Sequence, residues 1–122
     1  MAGLQILLVE DEFLIRMDLA FTLEDLGHGV EQALSADAAM DLLEGGSDFD
    51  LLITDIDMPG TLDGIALAFA ACELQPRCLI LILSGGKHLL PADIPAGSVF
   101  LSKPASPSAL ENAISTLQAA QH

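Results

Sequence analysis

Glu10, Asp11, Asp55, Asp57, Ser84 and Lys103 each stand just past, or at the end of, a short apolar run in this 122-residue chain. The runs LQILLV (4–9), DLLIT (50–54) and CLILIL (78–83) lead into EDE, DID and SGG, and Lys103 follows a weaker run at Ser98–Leu101. Carboxylates brought within a few ångströms of one another raise each other's pKa unless a cation joins them. A hard ion such as Mg²⁺ suits oxygen ligands and bridges readily to phosphate. Lys103 would add a positive point charge and Ser84 a hydroxyl donor, and together these groups stabilise a phosphoryl group. Asp55 is the natural nucleophile of the set, because a carboxylate can accept phosphoryl as an acyl phosphate. Taken by itself, Asp55 reads as the polar end of a buried strand. No GxxxxGK[ST] loop is present, which excludes nucleotide hydrolysis of the P-loop kind.

The elements that must position these residues follow from the hydrophobic pattern. The three strong runs are apolar on both alternations, as central strands of a helix-covered parallel sheet are. Weaker strands are predicted at Gly29–Ala33 and Ser98–Leu101. Helices are predicted at 12–26, with Ile15, Leu19, Thr22 and Leu26 inward and Gly27 as the stop, and at 35–44, with Ser35 as the cap and Leu42 and Leu43 inward. A third spans 64–74 with Ile65, Ala68, Phe69 and Cys72 as its stripe. The last begins at Ser106 and Pro107 and buries Leu110, Ala113, Ile114 and Leu117. Residues 86–96 hold two prolines five positions apart, so a short or irregular fourth helix is expected there. Regular alternation at this length predicts one α/β domain with a doubly wound five-stranded sheet. Ligands gather beyond the carboxyl ends of such strands, which is where the polar residues fall.

Composition narrows the partners. Eighteen acidic residues face four basic ones for a net charge of −14. Arg16, Arg77, Lys87 and Lys103 are scattered and form no basic stripe, so neither nucleic acid nor an anionic membrane is an expected partner. Proteins with a basic patch, and cations, are favoured. Cys72 and Cys78 lack any ligand spacing and read as free thiols. No signal peptide or long apolar span is legible, and the expected location is cytoplasmic. His28, His88 and His122 read as surface or turn residues, and Glu12 as a helix-start residue.

The motifs ILLVEDE, LLITDIDMPG…DG, LILSGG and FLSKP occur in that order. With them the chain resembles, across essentially its whole length, the receiver domain of bacterial two-component response regulators. The resemblance implies a flavodoxin-like sheet of order 2-1-3-4-5 and a single receiver domain over 1–122 with no output domain. It implies that Asp55 is the phosphoacceptor, that Glu10, Asp11 and Asp55 bind Mg²⁺ or Mn²⁺, and that the Asp57 backbone carbonyl completes the protein ligands. Ser84 and Lys103 take the places of the groups that contact the phosphoryl, and Phe100 that of an aromatic switch. Lys103–Pro104 matches a peptide that is typically cis. On phosphorylation Ser84 would move toward the phosphoryl oxygens and Phe100 would turn inward, reshaping the surface of the fourth helix, fifth strand and last helix.

The implied function is phosphorelay signalling without enzymatic turnover of its own. A histidine kinase or histidine phosphotransfer protein would be the donor and a downstream protein the target, with the chain a monomer or weak homodimer. Two departures stand out: MPGTLDG is one residue longer than the usual run before Asp63–Gly64, and the Ser84–Lys103 interval is short. Two other readings compete. One is a protein-interaction module that is never phosphorylated; the other is a Mg²⁺-dependent phosphohydrolase using Asp55, since Asp57 two residues on superficially resembles a DxD arrangement.

Overall fold

The computed structural model describes residues 3–56, 63–85 and 93–120. In chain order the elements are β1 (Gln5–Val9), α1 (Phe13–Asp25), β2 (Gly29–Ala33), α2 (Ala36–Glu44), β3 (Leu51–Asp55), α3 (Gly64–Leu74), β4 (Leu79–Ser84), β5 (Val99–Ser102) and α4 (Pro107–Ala119). The strands form one parallel sheet in the order β2-β1-β3-β4-β5. The expected fold class and strand order are therefore observed. Residues 86–92 of the segment expected to hold the irregular fourth helix lie outside the described residues, and 93–97 contain no α-helix or strand.

Side chains alternate across a strand, so each central strand feeds two cores. Leu7, Val9, Leu52, Ile80 and Ile82 pack with Ala39 and Leu43 of α2 and Leu67, Ala68 and Ala71 of α3. Ile6, Leu8, Leu51, Ile53, Leu81 and Leu83 pack with Leu19, Ala20 and Leu23 of α1 and Leu110, Ala113, Ile114 and Leu117 of α4. Burial on both faces explains why β1, β3 and β4 read as unbroken apolar runs.

Local chemistry sets the helix ends. Ser35 accepts a hydrogen bond from the Ala38 amide at 3.0 Å, and Ser106 accepts one from Ala109 at 3.1 Å, with Pro107 in the first turn. Each such cap contributes about 1 kcal/mol. Gly27, which follows α1, has φ of 100°, a conformation that favours glycine.

Two helix faces differ from the sequence expectation. In α3 the buried residues are Gly64, Leu67, Ala68 and Ala71, while Phe69 is 42% exposed. In α1 Ala20 and Leu23 are buried beside Leu19, Ile15 and Thr22 are half-buried, and Phe13, Leu14, Met17 and Phe21 are exposed. α3 is apolar nearly all round, and α1 carries large apolar side chains on both its inward and outward sides, so spacing alone does not single out the inward face.

Both cysteines are free thiols, Cys72 half-buried and Cys78 buried. Burial pushes the Cys78 thiol up to about 12, with the neighbouring Cys72 and Asp50 adding to it. A polar tie missed by sequence reading holds the loop before β3. Gln75 Oε1 accepts from the Phe49 amide at 2.9 Å, while its Nε2 donates to the Ser47 carbonyl at 2.6 Å.

Candidate phosphoacceptor site

The carboxyl ends of β1, β3, β4 and β5 converge. Past β1 the Glu10 amide donates to the Ala33 carbonyl at 3.2 Å, extending the strand pairing by one residue and carrying the Glu10 side chain into the interior. Glu10 Oε2 accepts from the Glu12 amide at 3.2 Å, which closes the turn into α1. Asp55 ends β3, is only 2% exposed, and pairs in register with Leu83 of β4. Ser84, the last residue of β4, is buried, and its carbonyl accepts from the Lys103 amide at 2.9 Å. That bond places Lys103 directly beyond β5. The Lys103–Pro104 peptide is cis, as the sequence resemblance implied.

Among the described residues, Lys103 is the cation of the site. Its Nζ donates to Asp55 Oδ2 at 2.7 Å and lies 2.8 Å from Glu10 Oε1. Burial works against its charge, yet the two carboxylates outweigh that effect and hold its pKa above the ordinary lysine value. Burial raises the Glu10 pKa; Lys103 and the Glu12 amide oppose the rise, and the charge of Asp55 adds to it.

Glu10, Asp11 and Asp55 each bring a carboxylate oxygen to within 4.8 Å of the others. Among the described residues, three carboxylates face one ammonium at the cluster. Glu10 Oε1, though ion-paired, receives no aligned hydrogen bond. An all-oxygen donor set with an under-satisfied buried carboxylate fits a hard divalent cation such as Mg²⁺. Asp57, expected to lend its carbonyl, lies outside the described residues, as does most of the long MPGTLDG run. Phe100 sits half-buried on β5, paired in register with Ile82 and packed against the core under α2 and α3.

Gly64 is a site residue whose reason for being glycine is invisible in the sequence. Asp63 caps α3 by accepting from the Ala66 amide at 2.7 Å, and Gly64 then lies directly on the backbone of Asp55 and Ile56. A Cβ here would overlap the Asp55 carbonyl. Gly64→Ala must therefore push α3 away from the strand end that carries Asp55. The expected result is a loss of about 1–3 kcal/mol of stability and an initial rate of phosphoryl uptake lower by about tenfold or more. Thermal unfolding and timed mass spectrometry read the two; a variant unchanged in both would contradict the packing argument.

The comparisons with known proteins agree with this geometry. The family model described as the response regulator receiver domain matches residues 6–115, and the chain belongs to that family. It is 38% identical over 103 residues to the response regulator receiver protein CpdR of Brucella abortus (strain 2308), covering 82% of this chain and 84% of that protein. It is 34% identical over 107 residues to the sensor kinase CckA of the same organism, covering 83% of this chain but 11% of the kinase. Among solved structures, a response regulator receiver protein from Sinorhizobium medicae WSM419 superposes with a TM-score of 0.90 at 32% identity over 98% of each chain.

The chain is thus a phosphorelay signalling domain of the two-component kind. Domains of this class act as phosphoacceptors with autocatalytic phosphorylation and dephosphorylation, not as enzymes that turn over a substrate. Family and site together favour this reading over both the interaction module and the phosphohydrolase. Among the described residues no helix is long and apolar enough to cross a membrane.

Proposed function

We propose that Asp55 accepts a phosphoryl group from the phosphohistidine of a histidine kinase or a histidine phosphotransfer protein. The P–N bond of the donor breaks as a bond forms between phosphorus and an Asp55 carboxylate oxygen. The donor imidazole keeps the electron pair of the broken bond and takes up a proton. The observation that carries this reading is the pair of contacts from Lys103 Nζ to Asp55 Oδ2 and Glu10 Oε1. They orient the Asp55 carboxylate and leave an ammonium beside the charge that the phosphoryl group brings.

Glu10, Asp11, Asp55 and the Asp57 carbonyl would hold Mg²⁺, which when bound neutralises phosphoryl oxygens. Ser84, buried one position beyond the residue paired with Asp55, donates its hydroxyl to the phosphoryl group, and Phe100 moves with it. The packing change on β5 and its flanking helices then carries the signal to a downstream protein. The likeness of the chain to a stretch of a sensor kinase supports a histidine kinase system as its setting. Two free thiols suit a reducing cytoplasm.

Beryllium fluoride with Mg²⁺ mimics the phosphoryl group and tests the assignment. It is expected to move the amide signals of Asp55, Ser84, Phe100 and Lys103 in a nuclear magnetic resonance spectrum. An unchanged spectrum would sink the proposal.

A further inference from the structure

We propose that Arg16 is a positioning residue for the acidic cluster, acting through the peptide that carries Asp11. The proposal rests on the metal-site reading above. Arg16 lies on the first turns of α1, and in a chain so acidic its guanidinium would be expected to seek carboxylates. Both of its side-chain hydrogen bonds go to neutral acceptors instead. Nη1 donates to the Glu10 carbonyl at 2.9 Å, and Nε donates to Gln32 Oε1 at 3.2 Å. The guanidinium carbon also stands 5.6 Å from the centroid of the Phe13 ring, which limits its freedom further.

The consequence comes from peptide geometry. Strand pairing of β1 ends at Val9, and only the Glu10 amide continues it, so the Glu10 carbonyl lies beyond the ladder. A peptide unit is planar, so a carbonyl held in place also fixes the nitrogen of the next residue. The next residue is Asp11. Asp11 is exposed, and packing does not set the direction of its side chain. The backbone sets where its Cα–Cβ bond points, from which the carboxyl group reaches that of Glu10, and Arg16 holds that backbone. Gln32, on the edge strand β2, anchors the other side of the fork, so that α1, β2 and the end of β1 are tied together. Arginine suits this role because its planar fork reaches two acceptors at once, which a lysine ammonium does less well.

The test compares Arg16→Ala, Arg16→Lys and Gln32→Ala with the wild type, and uses Glu24→Ala, exposed on the same helix, as a control. Calorimetric titration with Mg²⁺ alone should show Arg16→Ala weaker by roughly tenfold, the size typical of losing a group that orients a metal ligand. Arg16→Lys should recover part of that loss, Gln32→Ala should lose less, and Glu24→Ala should match the wild type. In metal-free protein the Asp11 and Glu12 amide resonances should shift in Arg16→Ala and stay in place in the control. Wild-type affinity and unmoved amides in Arg16→Ala would overturn the proposal. If Arg16→Ala fails to fold, wild-type behaviour of both Arg16→Lys and Gln32→Ala overturns it equally. A wild-type chain that binds no Mg²⁺ would refute the metal reading, while the amide shifts would still decide the role of Arg16.

Discussion

Asp55→Asn should take up no phosphoryl group under conditions in which the wild-type chain gains the mass of one. Asparagine has nearly the shape of aspartate, so a side chain that is 2% exposed is replaced without opening a cavity. What disappears is the anionic oxygen that, on the proposed assignment, forms the acyl phosphate. Electrostatics argue that the fold survives the change. Asp55 adds to the raised pKa of Glu10, so its neutralisation relieves a repulsion even as Lys103 loses one of its two carboxylate partners. Intact-mass measurement after treatment with acetyl phosphate and Mg²⁺ reads the outcome, and amide spectra confirm folding. A folded variant that still gains phosphoryl would transfer the acceptor role to another acid.

Lys103→Ala should be the more damaging change to the resting protein. It leaves the buried carboxylates of Glu10 and Asp55 without their shared cation, and removal of one partner from such an arrangement costs about 3 kcal/mol or more. The loss should depend on pH in a defined way. The folded-state pKa of Glu10 lies above its ordinary value of 4.5, so its contribution to stability is full below that value and falls as pH rises through the folded pKa. Without Lys103 that folded pKa climbs further, and the variant recovers stability on mild acidification. Lys103 also has a raised pKa, so its contribution is full below 10.5 and is lost as pH climbs through the folded value. The gap between wild type and variant should therefore be widest near neutrality and narrow toward both extremes. Mg²⁺ should stabilise the variant more than the wild type, because a ligand of the folded state adds stability according to its affinity. Urea unfolding at acid, neutral and strongly alkaline pH measures this, and a pH-independent gap would contradict it.

How much of this was legible beforehand depends on whether the signal was local. The strands were visible because burial on both faces leaves apolar runs: 4–9, 50–54 and 78–83 were expected, and Gln5–Val9, Leu51–Asp55 and Leu79–Ser84 are observed. Caps at Ser35 and Ser106 were visible because an N-cap bonds to an amide three residues away. The inward faces of α1 and α3 were not, because large apolar side chains lie on their outward sides as well and blur the contrast. Convergence of Glu10, Asp11, Asp55 and Lys103 was expected from strand-end positions and from the family motifs, and their distances agree with it. Gly64, Arg16 and Gln75 act on the backbone of residues distant in sequence or across a turn. No residue pattern announces such contacts, and only coordinates reveal them.

The exposed apolar residues of α1 have a consequence for the behaviour of the protein in solution. Phe13, Leu14, Met17 and Phe21 present one sticky flank to the solvent, and nothing in the helix itself keeps two such flanks apart. The net charge of −14 opposes their association, most strongly at low ionic strength. The same acidity that crowds the Glu10, Asp11 and Asp55 carboxylates together sets the colloidal stability of the whole chain, which should be poorest as the pH approaches the isoelectric point near 4.1.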